Sequence, residues 1–83
     1  MDYDRDKVDE MVLALLFLNM FGDEYGVRAW KGFDWDSLGR LYEQGYIGSP
    51  RSKAKSVVVT EEGQMHSERL FRKHFGLLAS QGE

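Results

Sequence analysis

No cysteine occurs in this chain of 83 residues, and only one proline. The first absence excludes a disulfide framework and any thiolate metal site, so packing or association must hold the fold. Long apolar runs are missing too. The longest, Met11–Phe21, is far short of the ~20 residues that span a bilayer. It follows Asp2, Asp4, Asp6, Asp9 and Glu10, the reverse of the basic start of a secretory signal, so a buried helix in a cytoplasmic protein with no membrane partner is expected. Positive charge is scarce as well. Eleven Lys and Arg stand against fourteen Asp and Glu, a net −3 that is unlike the basic footprint of most nucleic-acid binders.

What is present describes one ordinary small domain. The apolar fraction of 42% is too high for disorder, and 30% charged residues suit a soluble surface. The length supports a single domain over 1–83, with 80–83 a fraying tail. Charge is unevenly placed: residues 1–27 carry seven acids against Arg5 and Lys7, whereas 28–60 carry six bases against Asp34, Asp36 and Glu43. A basic middle between acidic ends leaves room for an anionic partner.

Periodicity predicts a first helix over Asp4–Phe21, stopped at Gly22. At 100° per residue Val8, Met11, Val12, Leu15, Leu16 and Leu18 form one apolar face. Leu13, Phe17, Met20 and Phe21 form a second on the opposite side. One face suffices to cover so small a core, so the second predicts a homodimer interface, with the alternative that the Tyr25–Phe33 connection folds over it as a lid. Asp34 is the expected N-cap of a second helix, Trp35–Gln44, with Gly45 as its stop. Trp35, Leu38, Leu41 and Tyr42 are placed on its inner face, and Asp36, Ser37, Arg40, Glu43 and Gln44 on its outer one. Tyr46-Ile47 and Lys55–Thr60 predict a two-stranded antiparallel hairpin, its loop carrying Arg51, Lys53 and Lys55. Thr60 then caps a last helix to Phe75, ended by Gly76, with Leu70, Phe71, His74, Leu77 and Leu78 inward. The expected fold is α+β: three helices around a hairpin.

Chemistry-bearing constellations are weak. Asp2-x-Asp4-x-Asp6 opens like a calcium loop, but Lys7 and Leu13 occupy its glycine and glutamate positions. His66 and His74 lie ~12 Å apart along one helix, too far to share a metal. No phosphate loop or nucleophile elbow is present, and Glu61-Glu62 suits a helix start. No catalytic residue, metal or cofactor is expected. Trp30, Phe33 and Trp35, interleaved with Arg28 and Lys31, are either core plugs or an aromatic recognition surface. Arg51, Lys53 and Lys55 are either a solvated hairpin tip or phosphate contacts.

The stretch Leu38-x-x-Leu41-x-x-x-Gly45-Tyr46-Ile47, a basic loop, then Val58-Val59-Thr60-Glu61-Glu62-Gly63 resembles the winged-helix half of bacterial transcriptional regulators. The resemblance covers Asp34–Leu78 and implies a winged-helix-like fold whose hairpin is the wing. It departs from that pattern where a supporting helix should precede the recognition helix, since Gly26–Phe33 has room for one turn at most. The whole chain also resembles a small bacterial family of uncharacterised proteins, a domain of unknown function. That likeness rests on Met1-Asp2-Tyr3-Asp4, on Arg28-Ala29-Trp30-Lys31-Gly32-Phe33-Asp34-Trp35 and on Lys53-Ala54-Lys55-Ser56-Val57. It implies a fold and no known activity.

Two functions compete. One is a non-enzymatic protein-interaction or adaptor module that self-associates through the first helix. The other is a nucleic-acid-binding protein using Arg40, Arg51, Lys53 and Lys55. Asp36 and Glu43 would oppose phosphates on the recognition helix, which favours the first.

Overall fold

A computed structural model of the chain describes residues 1–23 and 26–77, with no account of the Asp23 side chain. Tyr25, Leu78 and the expected tail therefore lie outside the described residues. The elements run α1 (Arg5–Asn19), β1 (Met20–Asp23), β2 (Gly26–Trp30), α2 (Trp35–Glu43), β3 (Ser56–Val58) and α3 (Glu61–Phe75). This is an α+β domain of three helices and an antiparallel sheet, consistent with a small winged-helix-like arrangement.

Each helix starts where a short polar side chain can satisfy an orphan backbone donor. Asp4 accepts from the Lys7 amide at 3.0 Å, Asp34 from Ser37 at 3.1 Å, and Thr60 from Gly63 at 3.0 Å. Gly45, at φ +84°, supplies the left-handed residue that ends the turn after α2. The Thr60 hydroxyl also donates to the Gly45 carbonyl at 2.7 Å, tying the end of α2 to the start of α3. Gly63 sits on the Tyr46 backbone so closely that a β-carbon there would overlap its carbonyl.

The sheet differs from the expected hairpin. It has three strands in the order β1-β2-β3, with Met20, Phe21 and Gly22 opposite Ala29, Arg28 and Val27, and with Arg28, Ala29 and Trp30 opposite Val58, Val57 and Ser56. α1 thus stops at Asn19, and Met20 and Phe21 leave the helix for β1. The stretch expected to be a plain connection is a strand. Its reason is visible in β2, where Val27 and Ala29 face inward and Arg28 and Trp30 outward, the period of two that a half-buried strand requires. Tyr46-Ile47 contributes only a bridge between Ile47 and Val59, so the returning strand pairs mainly with β2.

The inner face of the sheet meets the helices over one core of Val12, Leu13, Leu16, Ala29, Leu38, Leu41, Ile47, Val57 and Val59. α1 crosses α3 closely because Ser67, fully buried, donates its hydroxyl to the Leu13 carbonyl at 2.6 Å. Among the described residues no helix is long and apolar enough to cross a membrane.

The second face of α1, the expected dimer interface, finds neighbours within the chain, and of its four residues only Leu13 is buried while Phe17, Met20 and Phe21 are half-buried. Leu13 is in the core. Phe17 packs on Phe71 with ring centroids 5.2 Å apart, Met20 packs against the core, and Phe21 stacks on Trp30 at 4.7 Å. The lid alternative is met in part, because Trp30 comes from the connection. Exposure has moved instead to Leu15 and Leu18, at 37% and 68%, both expected in the core. On α3, Leu70, Phe71 and His74 are half-buried as expected, whereas Leu77 is exposed.

Candidate interaction surface

Arg40 is the sole cation in α2, and it is half-buried where the sequence places it on the outer face. Its Nε donates to Asp9 Oδ2 at 2.6 Å and its Nη2 to Asp9 Oδ1 at 3.0 Å, a two-pronged pair between α2 and α1. The Asp9 side chain is only 4% exposed. Hydrogen bonding to Asp9 raises the Arg40 pKa above its ordinary value, against a smaller desolvation cost. The pair braces the two helices and occupies Nε and Nη2 of Arg40, whose side chain remains 28% exposed. Asp9 was legible as an oddity: Val12, Leu13 and Leu16 follow it at three, four and seven, so it lies on the buried stripe.

With Arg40 turned inward, the outer face of α2 is defined by the residues left over. Leu38 and Leu41 are buried, and so is Ser37, which corrects its expected place on the outer face: its hydroxyl is satisfied by Asp34 Oδ2 at 3.2 Å. Placing the helix at 100° per residue, Trp35 and Tyr42 form one outer row, Asp36 and Glu43 another, and Gly39 lies between them. Trp35 is 55% exposed and Tyr42 48%, which corrects their expected place on the inner face. Gly39 has neither a positive φ nor any atom within 4 Å of where a β-carbon would stand. Nothing among the described residues therefore requires a glycine there, although glycine in mid-helix costs about 0.5–1 kcal/mol relative to alanine.

The loop after α2 flanks this face. Lys31 Nζ donates to the carbonyls of Pro50 and Ser52, each at 2.8 Å, and holds the loop down while Pro50 is buried. Trp35, Gly39, Tyr42, Glu43, Pro50 and Arg51 line a shallow groove of about 180 Å³. Arg51, Lys53 and Lys55 are exposed on that irregular loop, not on an extended wing, and make no ion pair among the described residues.

The expected aromatic surface is not one surface. Phe33 packs against the core. Trp30, 54% exposed, lies on the outer face of the sheet against Phe21, beside Arg28, whose guanidinium donates to Ser56 Oγ at 2.8 Å. Trp35 belongs to α2. The three therefore divide between core, sheet and helix.

A second cleft, of about 250 Å³, lies where α1 and α3 meet and is lined by Asp6, Asp9, Glu10, Tyr46, His66 and Arg69 among others. Its polar groups are mostly used within the fold. His74 Nε2 lies 2.7 Å from the Glu10 carboxylate, and this hydrogen bond is the main reason the Glu10 pKa is lowered. An arginine can only donate, so His66 Nδ1 accepts from Arg69 at 2.6 Å, and the His66 ring packs on Tyr46. No group of three or more potential metal-ligating side chains occurs among the described residues.

An α+β domain with a braced interior and an aromatic, carboxylate-bearing helix face is the class of protein this geometry defines. The chain belongs to the family "Domain of unknown function (DUF6429)", which matches residues 4–77. It is similar to the uncharacterized protein y4hR of Sinorhizobium fredii (strain NBRC 101917 / NGR234), with 49% identity over 75 residues covering 90% of this chain and 97% of that protein. No solved structure matches.

Proposed function

We propose that this domain is a non-enzymatic protein-interaction module whose docking face is the outer side of α2 with the adjoining loop. One observation carries the reading: the single cation of α2 is spent on Asp9, leaving a helix face of two exposed aromatics and two carboxylates. Exposed Trp and Tyr supply large contact area at little entropic cost, which suits a protein partner. Carboxylates in that position repel phosphates. Self-association through the second face of α1 has less apolar area to draw on, since Leu13 is buried and Phe17, Met20 and Phe21 are half-buried.

A second reading, nucleic-acid binding, draws on the exposed Arg51, Lys53 and Lys55. One comparison tests both. Immobilised wild-type chain should retain a protein that the Trp35→Ala/Tyr42→Ala variant releases, and anisotropy with duplex DNA should show no salt-sensitive binding. Steep loss of DNA affinity with salt, together with protein capture indifferent to the variant, would reverse the choice.

A further inference from the structure

The cleft where α1 and α3 meet is lined by charges of both signs that do not cancel. Asp6 and Glu10 stand one turn apart on α1, and Arg69 of α3 lines the same space. Among the described residues no ion pair joins Arg69 to either carboxylate. Each wall is held by a neighbour of its own instead. Glu10 Oε2 lies 2.7 Å from His74 Nε2, and Arg69 Nη2 donates to His66 Nδ1 at 2.6 Å. Glu10 Oε1, the Asp6 carboxylate and Nε and Nη1 of Arg69 are left for something in the cleft. We infer that this cleft binds a small zwitterion with the chemistry of a free α-amino acid that carries an apolar side chain.

The lining sets the class of ligand. Asp9 also borders the cleft, but Arg40 matches its charge, so two carboxylates and one guanidinium remain open. A phosphate would meet those carboxylates at a cost, and a simple cation would leave Arg69 unanswered. An ammonium beside Asp6 and Glu10, with a carboxylate on the Arg69 fork, answers both signs at once. Leu13 and Leu41, both buried, and the half-buried Leu70 complete the lining with apolar surface for a side chain. At about 250 Å³ the cleft is smaller than the ~300–1,000 Å³ of drug-sized pockets, which excludes a nucleotide or a large cofactor. The hydrogen bonds from His74 and His66 position the charged groups beforehand and so lower the ordering cost of binding. The site shares no charged or aromatic residue with the outer face of α2 and stands apart from the reading of that face.

Backbone-amide NMR of the full chain at neutral pH, titrated with L-leucine, tests this. Amides of the cleft, such as those of Asp6, Leu13, Gln44 and Leu70, should shift in the millimolar range or below. Isocaproate, which lacks the ammonium, and isoamylamine, which lacks the carboxylate, should each bind at least about tenfold more weakly. Glycine, which has both charges and no apolar side chain, should also bind more weakly. Arg69→Gln and Asp6→Asn, both at exposed residues, should weaken leucine binding by about tenfold or more. Arg72→Gln, at an arginine paired with Glu68 outside the cleft, should leave it unchanged, as should Trp35→Ala/Tyr42→Ala. The absence of any shift at tens of millimolar leucine overturns the inference. So does a one-charge analogue that binds as well as leucine, or leucine binding that survives both Arg69→Gln and Asp6→Asn.

Discussion

Two helix sides carry this chain's aromatic surplus, and the fold treats them oppositely. On α1, the side bearing Leu13 and Phe17 has neighbours at hand, with Phe71 of α3 packed on Phe17. On α2, the side bearing Trp35 and Tyr42 has only a shallow groove and a basic loop beside it. Apolar area is a debt only where nothing within the chain covers it. What separates the two sides is the long α3, which crosses one helix and leaves the other's outer face open.

Substitutions on the covered side should cost most. Leu13→Ala removes a side chain that is buried in the core, and urea unfolding should show a loss of about 2–5 kcal/mol. Phe17→Ala should cost about 2 kcal/mol, less than a core phenylalanine because the ring is half-buried, yet clearly measurable because it packs on Phe71. Thr60→Ala, which removes a helix cap and the tie to Gly45, should cost about 1 kcal/mol. Trp35→Ala or Tyr42→Ala should change stability by no more than about 0.5 kcal/mol in the same assay, since both rings face solvent. Losses of equal size on both sides would erase the contrast.

Acid sharpens the comparison on the α1–α3 side. Because the hydrogen bond to His74 lowers the Glu10 pKa below its ordinary 4.5, the carboxylate contributes stability that is present above that value. The contribution is lost as pH falls through the lower folded value. Urea midpoints of wild type and Glu10→Gln should therefore differ at pH 7 and draw together in the acid range. Midpoints that stay parallel at every pH would mean that the carboxylate adds nothing to folding.

Much of the architecture was readable because it is local. Asp34 and Thr60 mark helix starts by their side chains and Gly45 a stop by its positive φ, and α3 ends before Gly76 as the sequence predicts, although that residue has an ordinary extended backbone. The hairpin of β1 and β2 was missed because Met20 and Phe21 continue the apolar pattern of α1, and a four-residue strand offers little alternation to set against a helix. Long-range choices were not readable at all. Nothing in the spacing of α2 says that Arg40 reaches Asp9, thirty-one residues away, and without that pair its outer face looks like a mixed one. Trp35 and Tyr42 share a row that borders Leu38, and only the packing decides on which side of the border they fall.

The central claim is that the aromatic side chains of α1 pack within the chain while those of α2 stay open to a partner. Hydroxyl-radical footprinting of the chain, read residue by residue, addresses it in one measurement. The account predicts that Trp35 and Tyr42 are labelled readily while Phe17 and Phe71, packed on each other, are labelled more slowly relative to their intrinsic reactivity. Labelling of Phe17 and Phe71 as complete as that of Trp35 and Tyr42, on the same scale, would contradict it.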